Sequence, residues 1–163
     1  MAVNAERNRP DPQRSLVGFM VGDVHYAIDI ARVREIVNPI DITALPHTPP
    51  EVAGVAAHRD LVVPVVLLRT RFGLPEIEST RTTKWILVDA GTHRVGLVVD
   101  AVTEVFRTTG EFRPAPPVGG DGDLRGIAGV VSHGDRLTFV LDVERFIELA
   151  LALARTGALP EAS

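Results

Sequence analysis

The 163-residue chain contains no cysteine, so it can form neither a disulfide bond nor a thiolate metal site. Lysine is almost absent, since Lys84 is the only one, and arginine supplies the remaining permanent positive charges. The formal net charge of −4 argues against nucleic-acid binding, because that function usually requires a basic surface. No apolar run approaches the roughly 20 residues needed to cross a bilayer. We therefore expect a cytoplasmic protein that binds no nucleic acid and does not insert directly into a membrane.

Motifs for catalysis are missing as well. The sequence has no Gly-x-x-x-x-Gly-Lys phosphate loop and no Gly-x-Ser-x-Gly elbow. Two His-x-Asp turns, His58/Asp60 and His133/Asp135, contain metal-ligating residue types, and we interpret them as equivalent β-turns in different modules. No catalytic residue, metal ligand or cofactor is predicted.

The chain does contain an internal repeat. Residues 25–37 are echoed by 94–106, residues 54–60 by 129–135, and residues 64–72 by 138–146. The offset between the copies grows from 69 (25 to 94) to 75 (54 to 129), because a glycine-rich stretch near residues 119–123 lengthens the second copy. Self-similarity of this kind indicates one supersecondary unit used twice. The junction between the copies is where we expect function.

The repeat units extend over about residues 16–73 and 85–146, within a single domain at 15–155. Residues 1–14 are expected to be a flexible tail, and residues 156–163 a second tail. Short valine-rich runs separated by turns predict a mainly β fold of two five-stranded β-barrels, one for each repeat unit.

A few helices are expected in addition. The spacing of Val33, Ile36 and Val37 predicts a short helix in the first copy. The equivalent segment with Val102, Val105 and Phe106 predicts another, with Asp100 as its N-cap. A final helix is predicted to start at the N-cap Asp142 and to carry an apolar stripe. The stripe residues are Phe146, Leu149, Ala150 and Leu153.

Over residues 15–152 the sequence resembles the CheW family, the adaptor proteins of bacterial chemosensory arrays. The matching residues are Tyr26-x-Ile28-Asp29-Ile30-x-x-Val33-x-Glu35-Ile36, then Gly54-Val55, Arg59, Val63-Pro64-Val65 and Leu68-Arg69-x-x-Phe72-Gly73, then Val95-Gly96-Leu97-Val98-Val99-Asp100-x-Val102. No block is diagnostic alone, but their order on a duplicated β framework makes the match specific.

The resemblance implies two SH3-like five-stranded barrels without catalytic activity or cofactor. It implies an adaptor that connects the cytoplasmic tip of a chemoreceptor to the regulatory domain of a CheA-type histidine kinase. The receptor tip is expected in an apolar groove at the junction of the barrels. Partners of this kind place the protein at receptor clusters, either membrane-associated or cytoplasmic.

Three positions are implied to bind the receptor, namely Val33, Glu35 and Arg59. Core packing is the alternative for Val33, and a solvated surface is the alternative for the two charged residues. An arginine on a turn has the forked geometry to hold a carboxylate or carbonyl of the receptor. Gly54 and Gly96 are predicted to be structural glycines, required for close backbone approach or an unusual φ.

The sequence departs from the family where Arg59 lies. Ala57, His58 and Asp60 replace the Asn, Leu and Gly of the family's Asn-Leu-Arg-Gly motif, so only the arginine remains. This departure suggests a specialised paralogue. Two alternatives stay open: a paralogue that keeps one partner and regulates array composition, and a regulatory module that binds a small molecule.

Overall fold

The computed structural model describes residues 15–90, 93–107, 112–114 and 126–144. In these ranges the chain forms eleven β-strands, a 3₁₀ turn at Ile30–Arg32 and a short helix α1 at Leu68–Arg71. The strands are β1 Ser15–Val21, β2 Val24–Asp29, β3 Val33–Val37, β4 Val52–His58, β5 Leu61–Leu67, β6 Lys84–Ala90, β7 His93–Val99, β8 Ala101–Arg107, β9 Arg113–Pro114, β10 Ile127–His133 and β11 Arg136–Leu141.

The strands form two sheets that exchange hairpins. Sheet A has the order β8-β1-β2-β11-β10-β9, and sheet B has the order β3-β6-β7-β5-β4. Sheet A therefore adds the β1–β2 hairpin of the first repeat to strands of the second, and sheet B does the reverse. The mainly β fold class is confirmed, and the two predicted five-stranded barrels correspond to a six-stranded sheet A and a five-stranded sheet B. The expectation that each repeat unit, 16–73 or 85–146, closes its own barrel is wrong, because each sheet needs both.

Strand registers show that the exchange follows the repeat. The parallel pair β2–β11 aligns Ala27 with Val140, and the parallel pair β7–β5 aligns Gly96 with Val65. The two pairs are equivalent, since Gly96 lies 69 positions after Ala27, and since Val65 and Val140 face the repeat-equivalent glycines Gly54 and Gly129 across their hairpins. A two-stranded hairpin is only marginally stable alone. Each hairpin is therefore stabilised by strands of the other copy.

The described residues form three hydrophobic cores, one shared by the two sheets and one within each sheet. The largest lies between the sheets and contains Phe19 from sheet A and Leu97 from sheet B, both fully buried. A second core around Phe106 belongs to sheet A, and a third around Trp85 belongs to sheet B. Because the shared core is built from both repeats, the domain folds around a joint interior.

The predicted helix at Val33, Ile36 and Val37 is strand β3. Burial alternates along β3, so Val33 and Val37 face inward while Ile36 faces outward and is 39% exposed. Three apolar residues in five positions fit both the helical period of 3.6 and the strand period of two. The β-branched side chains of Val and Ile favour the strand. The second predicted helix is likewise a strand, β8.

Asp100 does not cap a helix but connects the two sheets at the β7–β8 crossover. Its Oδ2 accepts a hydrogen bond from the Gly22 amide at 2.7 Å, and its own amide donates to the Met20 carbonyl at 2.9 Å. Its carboxylate also pairs with Arg69 of α1 at 2.9 Å. The hydrogen bond from Arg69 to Asp100 raises the pKa of the Arg69 guanidinium. Asp100 thus holds the β1–β2 turn and α1 together.

The described chain ends at the start of the predicted C-terminal helix. The Glu144 amide donates to Asp142 Oδ1 at 3.0 Å, as expected for an N-cap at Asp142. The apolar stripe of that helix and both predicted tails lie outside the described residues, so they stay predictions. Among the residues that are described, no helix is long and apolar enough to cross a membrane.

Candidate partner-binding surface

The β4–β5 turn places two residues in the left-handed region. Arg59 has φ 48° and Asp60 has φ 64°, the pattern of a two-residue hairpin turn in which both central residues have positive φ. Asp tolerates this region better than most residues, whereas Arg has no such advantage. In the second repeat the position of Arg59 is occupied by Gly134, also at positive φ. The first repeat thus has an arginine at a positive-φ position where the second repeat has a glycine.

Arg59 is held in place by Glu35. Its Nε donates to Oε2 at 3.1 Å and its Nη2 donates to Oε1 at 2.9 Å, a two-pronged ion pair. His58 Nε2 lies 3.0 Å from the same Oε2. The hydrogen bond from Arg59 and then that from His58 lower the pKa of Glu35 to about 2. Glu35 therefore stays ionised over the whole physiological pH range.

Strand β3 brings Glu35 to the turn. The pairing of β3 with β6 shifts between Val33 and Glu35, which is a β-bulge at Arg34. Bulges redirect side chains, and here the carboxylate reaches the β4–β5 turn. Val33, the third predicted receptor-binding residue, packs partly buried against the shared core and is not part of the ion pair. The structure thus brings Glu35 and Arg59 together and leaves Val33 beside the interior.

The second repeat contains a similar cluster on sheet A. His133 Nε2 lies 2.9 Å from Glu104 Oε1, and Arg136 Nη2 lies 3.6 Å from the same oxygen. The His133 ring stacks on Phe106 with centroids 3.9 Å apart. The sequence analysis identified the turn histidines and Glu35, but it did not predict that each histidine contacts a glutamate. The repeat carried the signal, because both the Glu and the His are repeat-equivalent.

A different kind of surface lies between the two connecting segments after β3 and α1. Ile40, Ile42 and Ile77 are 36%, 40% and 50% exposed there, and they line a cavity of about 160 Å³ with the buried Trp85 in its wall. We call this the isoleucine groove (Ile40, Ile42 and Ile77). Sequence reasoning missed it, because its residues come from irregular segments distant in sequence and show no periodicity.

The ion pair and the isoleucine groove are at opposite ends of β5. Arg59 precedes the first residue of β5, while Leu67, its last residue, lines the groove. Seven strand residues extend over roughly 20 Å at about 3.3 Å each. The two surfaces are therefore separated by about the length of one strand.

The CheW-like domain model matches residues 15–150. The chain belongs to the CheW family. The chemotaxis protein CheW of Helicobacter pylori is 34% identical over 133 residues, covering 81% of this chain and 80% of that protein. The chemotaxis protein CheW of Klebsiella aerogenes is 32% identical over 137 residues, covering 82% of each. The scaffolding protein CheW of Thermoanaerobacter tengcongensis has a solved structure with a TM-score of 0.71 at 29% identity, covering 79% of this chain and 88% of that one.

These similarities confirm the resemblance read from the sequence, including the two SH3-like subdomains. A chemotaxis coupling role, as an adaptor, follows for this CheW-family chain. In the described parts of the chain no group of three or more His, Asp or Glu is placed to hold a metal ion. His58 and His133 instead contact glutamates on separate sheets.

Proposed function

We propose that this CheW-family chain is a non-enzymatic adaptor that couples chemoreceptors to a CheA-type histidine kinase. It binds the cytoplasmic tip of the receptor and the regulatory domain of the kinase at the same time. One observation carries this proposal: sheet B presents two chemically different surfaces, one charged and one apolar, roughly 20 Å apart. A protein that bound only one partner would need only one of these two surfaces.

The charged surface is assigned to the receptor. The fork to Glu35 uses Nε and Nη2 of Arg59, and Nη1 is not part of it. The Arg59 side chain is 67% exposed, so the remaining donors are accessible to a partner oxygen. Since Glu35 fixes the orientation of Arg59, both residues contribute to receptor binding even if the receptor touches only the arginine.

The isoleucine groove is assigned to the kinase regulatory domain and not to the receptor tip, because Glu35 and Arg59, the residues implied to bind the receptor, lie on the charged surface. Contiguous exposed apolar side chains on a soluble protein are typical of protein–protein contacts. A small-molecule site is less well supported, because the cavity of about 160 Å³ is smaller than the roughly 300–1,000 Å³ of most ligand pockets. The groove suits one or two apolar side chains of a protein partner.

Two variants test this assignment by calorimetric titration with a receptor cytoplasmic fragment and, separately, with the kinase regulatory domain. Arg59→Glu is expected to weaken receptor binding and leave kinase binding unchanged, and Ile77→Asp is expected to do the opposite. Arg107→Glu and Val24→Asp are the matched controls, because both residues are exposed on sheet A. Loss of both partners in either variant, or a wild-type chain that binds only one partner, would contradict the proposal.

A further inference from the structure

A second ion-pair network lies beside Glu35 and Arg59. Arg94 Nε donates to Asp89 Oδ1 at 2.9 Å, and Arg34 Nε lies 3.8 Å from Asp89 Oδ2. Asp89 and Arg94 face each other across the β6–β7 pair, and Arg34 is the residue at the β3 bulge. One carboxylate on β6 is therefore shared by two arginines on β3 and β7, the strands on either side of it.

The two networks meet in one depression on sheet B. Arg34, Arg59 and Arg94 line it together with Glu35 and Leu61, and the open volume is about 560 Å³. We call it the arginine basin (Arg34, Arg59 and Arg94). Arg34 and Arg59 are 62% and 67% exposed, whereas Arg94 is only 11% exposed and lies at the inner side.

The charges of the basin do not cancel. Three guanidinium groups share two carboxylates, those of Glu35 and Asp89, so one positive charge is left over (3 − 2). This excess occurs in a chain whose formal net charge is −4. Unlike a solvated surface arginine, Arg94 is fixed by Asp89, so its charge has a defined position. A defined cationic site with exposed donors is suited to an anionic group.

We propose that the arginine basin binds a carboxylate side chain within an acidic segment of the docked partner, with Arg34 and Arg94 as specificity-determining residues. The inference rests on the proposed function, because the partner at this surface is the receptor. Asp89 positions both arginines and does not itself contact the partner. Glu35 and Asp89 pair with these arginines and leave one positive charge over, which matches a single Asp or Glu side chain better than a continuous chain of phosphates.

The direct test is titration of the receptor cytoplasmic fragment into Arg34→Gln, with Arg107→Gln as the control that removes an exposed charge from sheet A. Arg34 is exposed, so its replacement leaves the fold intact. We expect receptor affinity to fall about tenfold, or about 1.4 kcal/mol, and kinase affinity to stay unchanged. The difference in receptor affinity between the wild type and Arg34→Gln should shrink when the salt concentration is raised from roughly 0.1 M to roughly 1 M.

The titrations distinguish a failure of the basin proposal from a failure of the proposed adaptor function. If Arg34→Gln binds the receptor like the wild type while Arg59→Glu does not, the basin proposal is wrong and the adaptor function stands. A wild-type chain that binds no receptor overturns both.

A second measurement does not depend on the receptor. A polyglutamate peptide should shift the backbone amide resonances of residues 34, 59 and 94 in a spectrum of the full chain, and much less so in Arg34→Gln. Equal shifts in that variant, or tighter binding of a single-stranded oligonucleotide at the same amides, would overturn the proposal.

Discussion

Replacing Gly54 by alanine should destabilise the protein far more than the same change at Gly96. Gly54 has φ +145°, and a Cβ there would lie 2.1 Å from the Thr43 carbonyl oxygen. That oxygen belongs to a backbone bridge in which Thr43 and Val55 exchange hydrogen bonds of 2.8 and 2.9 Å. The clash therefore involves backbone atoms that cannot move unless the bridge opens.

The size of the effect follows from these contacts. Losing two backbone hydrogen bonds costs about 1–3 kcal/mol, and forcing a side chain into that φ region adds about 1–3 kcal/mol. We expect Gly54→Ala to lower the free energy of unfolding by about 3–5 kcal/mol, which corresponds to a Tm lower by roughly 10 °C for a chain of this length. A Cβ on Gly96 would lie 3.3 Å from the Leu87 side chain and at an ordinary contact distance of 3.7 Å from the Pro64 carbonyl and the Trp85 ring, and Gly96 does not have a positive φ. Gly96→Ala should stay within about 1 kcal/mol of the wild type.

Urea unfolding followed by tryptophan fluorescence measures both variants. Trp85 is the only tryptophan and is 2% exposed in the core of sheet B, so its emission reports directly on the sheet that contains Gly54. A Gly54→Ala midpoint equal to that of the wild type would refute the reasoning. So would a Gly96→Ala variant that is the less stable of the two, because the steric argument predicts the reverse order.

Three further predictions concern charge and topology. The pKa of Glu35, about 2, is below its unfolded value of about 4.3, so its pairing is complete above pH 4.3 and is lost as pH falls through about 2. A carboxyl NMR titration should show this midpoint and a higher one in Arg59→Gln; a wild-type midpoint near 4 would contradict it. Asp100→Ala should lower the free energy of unfolding by about 2–3 kcal/mol, as measured by chemical denaturation, because it removes the crossover contacts. The same change at the exposed Asp135 should have little effect. Equal effects of the two changes would show that the crossover contacts are unimportant. A fragment of residues 15–79 should not fold as a monomer by circular dichroism, because its first hairpin belongs to the other sheet; a cooperatively folded monomer would disprove the exchange.

Hairpin turns were predictable from the sequence, because the residues that determine a short turn are adjacent in the chain. The predicted turns at His58/Asp60 and His133/Asp135 do join strands, with positive φ at Arg59, Asp60 and Gly134. The segment at Val33–Val37 was predicted as a helix, because a window of five residues does not separate a period of 3.6 from a period of two. Burial decides the case, and burial depends on the neighbouring strand.

Pairing between distant segments was not predictable from the repeat. Self-similarity shows that two segments are alike, but it does not say which copy a hairpin joins, so the exchange appeared only in the structure. Glu35 and Arg59 were identified as candidate residues from the resemblance, while their contact depends on the bulge in β3. The groove around Ile77 depends on two irregular connectors whose path leaves no periodic signal.

Whether one chain holds both partners at once is measured most directly by size-exclusion chromatography with light scattering. The chain is mixed with the receptor cytoplasmic fragment and the kinase regulatory domain. The account predicts a species with the summed mass of all three, which Arg59→Glu reduces to the complex of chain and kinase. Partners that displace each other, so that only binary complexes are seen, would contradict the account.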